Sequence, residues 1–184
     1  MSFEEFRVGV VPKPELPLAS GCDVVLFRLV VRDLLARWDD LRPDADDSYR
    51  FFSPKDEREE FLVHESEAGL FQVKVLLGNV RPDTISFHLR VAYSNPRTVL
   101  IPFFAVVEDL MLRYALCATC SEPVLSSADA RHTIDDAEAV HATFAPRFDF
   151  NKAFWHDDVQ TGKEAILRPG DAVARFVTPQ LIAA

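Results

Sequence analysis

The sequence predicts an α+β fold, an antiparallel β-sheet meander packed on amphipathic helices. Between residues 61 and 93, three apolar or alternating segments follow one another with turn residues between them. Stripes of apolar residues at helical spacing lie before and after that block. The chain has 184 residues, 48% of them hydrophobic and 15 of them Phe, which suits a single domain over residues 1–184. A chain of this size buries roughly 70% of its unfolded surface, so it needs neither disulfide nor metal to fold.

Taken in order, Phe6, Val8 and Val10 alternate as a short strand does, and Pro12, Pro14 and Pro17 then forbid a regular helix. Val24, Phe27, Val31, Leu34, Leu35 and Trp38 recur at three- and four-residue steps. They predict a helix capped by Ser20 or Asp23 and ending near Leu41, ahead of Pro43. Residues 44–60 are polar and contain Pro54, and the Phe51-Phe52 pair is expected to anchor this loop to the body.

Phe61–Ser66, Leu70–Leu77 and Thr84–Tyr93 are the predicted meander. In the third strand Ile85, Phe87, Leu89, Val91 and Tyr93 share one face, and Thr84, Ser86, His88 and Arg90 the other. A second helix is expected to start between Thr98 and Pro102, with Phe103, Phe104, Val107, Leu110, Met111 and Tyr114 as its buried stripe. Pro102 fits its first turn, where a missing N–H costs nothing. Leu116–Cys120 reads as a short strand. Thr133-Ile134-Asp135-Asp136 reads as a capped helix start, the helix running to about Phe144 before Pro146. Ala165–Arg168 and Val173–Val177, split by Pro169-Gly170-Asp171, predict a last hairpin.

Charge narrows the function. Twenty-nine acids against twenty bases give a net charge of −9. Residues 39–67 hold eleven acids and four bases, so seven of the nine excess charges lie there. No run of Lys or Arg exists to displace counterions, so neither nucleic acid nor an anionic membrane is an expected partner. Met1–Arg7 is acidic and lacks an apolar segment, so no secretory signal is expected. The cysteines are three (Cys22, Cys117 and Cys120), odd in number and too few for a disulfide framework. Together these predict a cytoplasmic protein.

Chemical motifs are sparse. Cys117-Ala118-Thr119-Cys120 could share a metal or form a redox pair, but eight residues separate His132 from His141 where zinc-finger spacing has three to five. Packing as small apolar thiols is the competing reading, and no metal or cofactor is expected. In His156-Asp157-Asp158 consecutive side chains diverge, so convergence on one ion needs outside help. His64-Glu65-Ser66-Glu67 begins like a metalloprotease helix motif, but the second histidine position is Ala68. Neither a phosphate-cradling loop nor a nucleophile elbow is present, and no catalytic residue is assigned. His88 and Arg90, joined by Lys74 and Gln72, could make a polar, weakly basic sheet surface for an anion, but a solvated sheet face is the favoured reading.

The succession ISFHLRVAYS, PFFAVVEDLMLRY, ALCATC and TIDDAEAVHATF, over residues 60–145, resembles bacterial immunity proteins of polymorphic-toxin systems. That resemblance implies a non-enzymatic protein that binds a cognate toxin and blocks it. The acidic stretch suits a basic partner protein, since charge complementarity speeds association. The contact residues expected on this reading are Asp44, Asp46, Asp47, Tyr49, Phe51, Phe52, Asp56, Glu57, Glu59 and Glu60. The competing reading is a small enzyme or ligand-binding protein. Its pocket between sheet and helices would draw on His88, Arg90, His141 and His156.

Overall fold

The computed structural model describes residues 5–13, 23–44, 57–93, 95–120 and 132–160; the side chains of His132 and residues 154–160 are not described. Seven strands form one sheet: β1 (Glu5–Pro12), β2 (Leu41–Pro43), β3 (Glu59–Ser66), β4 (Gly69–Leu77), β5 (Ile85–Ala92), β6 (Leu116–Cys120) and β7 (His132–Ile134). Their order is β2-β3-β4-β5-β1-β6-β7, with every pair antiparallel. The helices are α1 (Val24–Arg37), α2 (Leu100–Tyr114) and α3 (Ala139–Gln160). This is the α+β architecture expected from the sequence, with the meander β3-β4-β5 in place.

All three helices lie on one side of the sheet. Phe6, Val8, Val10, Phe71, Val73, Val75, Phe87, Leu89 and Val91 point to that side, and all are 1% exposed or less. They share one core with Phe103, Phe104, Val107 and Met111 of α2 and with Phe144 and Phe148 of α3. The register read from the period-two pattern of β5 therefore holds, with Ile85 at the margin of the core. Phe6 is a hub, its ring centroid 6.0 Å from that of Phe103, 6.3 Å from Phe104 and 5.7 Å from Phe148.

Local chemistry sets the boundaries. Asp23 caps α1, its Oδ1 accepting from the Leu26 N–H at 2.8 Å. The helix stops at Arg37, four residues short of Leu41, and Leu41–Pro43 instead pair with β3 as the edge strand β2. At Gly78, φ is +83°, a value that glycine adopts without steric cost, and the β4–β5 connection closes through Gly78 N–H to the Thr84 carbonyl. Pro102 lies in the first turn of α2, and Ala115, left-handed at φ 52°, terminates that helix.

Two expectations near the end of the chain are corrected. Thr133 and Ile134 belong to strand β7, and the turn into α3 is made by Asp136, whose Oδ1 accepts from the Glu138 N–H. The helix α3 does not stop before Pro146 but carries it inside. An interior proline costs roughly 3 kcal/mol. Here Phe144 on one side and Phe148 on the other are both fully buried, so packing across the proline outweighs the lost bond. The expected hairpin 165–177 lies outside the described residues.

Candidate protein-binding surface

The three helices sum to no net charge. α1 carries three Arg and one Asp, α2 two acids and one Arg, and α3 three acids and two cations. The excess negative charge falls outside these helices, and among the described residues it lies chiefly around the β2–β3 edge.

At that edge Asp39 and Asp40 follow α1, Glu57 precedes β3, and Glu59, Glu60 and Glu65 lie within β3, with Glu67 just beyond. Several of these acids already have cations beside them. Arg42 pairs with Glu65, Lys74 Nζ is 3.1 Å from Glu59, and Arg28 is 3.7 Å from Glu57 with both side chains about two-thirds exposed or more. Exposed pairs of this kind contribute little to stability, so a partner's cations can replace them at small cost. Asp44 lies deeper: its Oδ2 accepts from Gln72 Nε2 at 3.0 Å. Of the ten expected contact residues, Asp44, Glu57, Glu59 and Glu60 are thus gathered at one edge. Asp46, Asp47, Tyr49, Phe51, Phe52 and Asp56 lie outside the described residues.

The sheet side turned away from the helices carries the second candidate set. Pairing places Gln72 opposite Arg90 and Arg90 opposite Arg7, with Lys74 opposite His88 in the next row. A polar chain runs across it. Arg90 Nε donates to Gln72 Oε1 at 2.6 Å, and Arg90 Nη1 is 3.8 Å from the buried carboxylate of Glu5, which also pairs with Arg7. His88 Nε2 lies 3.3 Å from the Asn79 amide. Reduced solvation, then the neighbouring Lys74 and Arg7 cations, hold the His88 pKa below its ordinary value. Arg42 and Lys74 each have an acid at hand and Arg7 and Arg90 share Glu5, so most of the positive charge on this face is already answered.

The four residues of the ligand-pocket reading do not converge. His88 and Arg90 are on the far side of the sheet, whereas His141 sits on α3 with its ring 5.1 Å from that of Phe104. The backbone of His156 lies further along α3.

The Cys117–Cys120 pair is split by the pleat. Residues three apart on a strand face opposite ways. Cys120 enters the helix-side core, and Cys117 Sγ lies 3.4 Å from the Val11 carbonyl on the other side. Burial, above all, raises the Cys117 thiol pKa, which disfavours the reactive thiolate. Their Cα atoms should be about 10 Å apart along an extended strand, beyond disulfide reach. A mild oxidant should accordingly yield no Cys117–Cys120 disulfide in the native protein, and peptide mass mapping would detect one. Among the described residues no group of three or more His, Cys, Asp and Glu could hold a metal ion, and no helix is long and apolar enough to cross a membrane.

One constellation was only partly visible in the sequence. Asp109 and Arg113, an i,i+4 pair 3.8 Å apart on α2, join a network that ties α1 to α2. Arg37 Nη2 is 2.9 Å from Asp109, Trp38 Nε1 donates to Asp109 at 3.4 Å, and Tyr114 donates to Asp33 at 3.2 Å. Burial is the largest cause raising the pKa of both Asp109 and Tyr114. The network fastens α1 to α2.

No protein-family model, curated protein or solved structure matches this chain.

Proposed function

We propose that this chain is a protein-binding domain whose acidic β2–β3 edge and the adjoining segment to residue 60 dock a basic partner. The observation that carries this reading is the partition of charge: neutral helices, and seven of nine excess negative charges within residues 39–67. A field of one sign confined to one edge steers an oppositely charged partner and orients it on arrival. The resemblance to immunity proteins makes a toxin domain with a basic active site the partner that fits this surface. The ligand-pocket alternative loses support, because the sheet separates His141 from His88 and Arg90.

The test uses a captured and purified partner. Replacing Asp44, Asp46 and Asp47 together with Lys should slow association on the order of tenfold at low salt. The gap between wild type and variant should close as added salt shortens the screening length to roughly 8 Å and below. Dissociation should change little, whereas thermal unfolding should record a modest loss, because Asp44 gives up the bond it accepts from the buried Gln72. Equal association rates for the two proteins at low salt would rule out docking through the acidic edge.

A further inference from the structure

The β2 edge holds one group that neither the fold nor the docking surface uses. His64, on β3, turns its side chain to the helix side of the sheet and is 2% exposed. Its ring stacks on Phe71, with centroids 4.4 Å apart and planes 12° apart. Phe103 packs on the far side of Phe71 at 5.3 Å. The neighbour across the strand pair is Leu41 of β2. Nδ1 is buried with no hydrogen-bond partner. Nε2 is 3.8 Å from Oδ2 of Asp40, too far for a hydrogen bond, and the Asp40 side chain is 62% exposed.

Among the described residues the charged groups that face this ring are few. From β2 and the turn that enters it, the group is Asp40. β4 presents Phe71, and α2 presents Phe103 behind it, neither of which titrates. The Arg42–Glu65 pair belongs to the other side of the sheet, since Arg42 is opposite Val63 and Glu65 opposite Leu70.

We propose that His64 is an acid-labile latch for the sheet edge: β2 stays paired to β3 only while the imidazole is neutral. Protonation would place a positive charge in the core, away from water and faced only by the largely exposed Asp40 carboxylate, which is costly. Asp40 can answer Nε2 alone. Relief for the whole ring requires water, and the element that gives way is β2. It is three residues long, lies at the end of the strand order among the described residues, and sets Leu41 opposite His64.

The sign follows from the environment. Burial holds the His64 pKa below 6.5, with Asp40 and a backbone hydrogen bond opposing it. A histidine with a lower value docked than free stabilises docking fully above the free value. That contribution is lost as pH falls below about 6.5 toward the docked value. The proposal holds whether or not the edge binds a partner.

Two amides report the latch: Asp44 N–H, bonded to the Phe61 carbonyl at 2.8 Å, and Glu65 N–H, bonded to the Asp40 carbonyl at 3.2 Å. Their hydrogen-exchange protection factors should fall up to about tenfold between pH 7.5 and 5.5, one unit below the free value. Leu110 and Met111 of α2 should hold theirs, which separates edge release from global unfolding. His64→Phe keeps the stack on Phe71 but cannot titrate, and should abolish the fall. Asp40→Asn removes the opposing charge and should deepen it. Constant protection in the wild type, an undiminished fall in His64→Phe, or a shallower one in Asp40→Asn would each overturn the latch.

Discussion

Phe6→Ala should lower the unfolding free energy by about 3–5 kcal/mol, the range for deleting a buried aromatic ring. The ring has no exposed surface and meets three others, from Phe103, Phe104 and Phe148, on two different helices. Collapse around the void is restricted because its backbone belongs to a strand paired on both sides. Urea titration followed by tryptophan fluorescence measures this directly. The midpoint should drop with little change in slope, since the same surface is exposed on unfolding. A loss below about 1 kcal/mol would mean that the three rings close over the gap.

Gly69→Ala is expected to be nearly as damaging, for a different reason. Gly69 has φ +134°, a region open in practice to glycine alone, and forcing another residue there costs on the order of 1–3 kcal/mol. A Cβ would also lie 2.9 Å from both Asn95 Oδ1 and the Val99 side chain. Asn95 cannot simply move away, because the same Oδ1 accepts the Leu70 N–H at 2.9 Å. Gly9→Ala is the control. It brings a Cβ to 2.8 Å from Thr119 Oγ1 with no positive φ. Thermal unfolding of the two variants should show the larger loss at Gly69, and equal losses would remove the backbone from the explanation.

The strands of the meander were legible because each carries its own pattern. In β5 every second residue is apolar, and the face so defined is the buried one. The two-strand readings before it differ from the observed bounds by two residues at most. What could not be read is whatever depends on a neighbour. β2 is three residues long with Pro43 in it, so nothing local marks it as a strand; pairing with Leu62, Val63 and His64 does. Pro146 reads as a stop, and only the burial of Phe144 and Phe148 explains why the helix passes through it. Cys117 and Cys120 look like a pair in one dimension and are parted by the pleat.

The candidate surface divides in the same way. Its charge excess is a matter of composition and was visible. Its partial neutralisation was not, because Arg28 and Lys74 come from elements outside the acidic stretch. His64 looked like half of a metal motif. Its burial follows from lying opposite Leu41 and Phe71 on the core side of the sheet, a position that only the strand register fixes.

The place of β1 in the strand order governs how the chain can assemble during synthesis. β1 comes ahead of the other described strands in the sequence, yet it sits between β5 and β6, with Glu5 opposite Ala92 and Gly9 opposite Thr119. Until those distant segments leave the ribosome, an apolar strand has no hydrogen-bonding mate on either side. Local pairing favours β3, β4 and β5 as an earlier unit, because short connections close at lower entropic cost. In the finished sheet β1 is the seam that joins that unit to the β6–β7 pair. Without it the sheet is two separate pieces, so the continuity of the fold rests on the strand that waits longest for its neighbours.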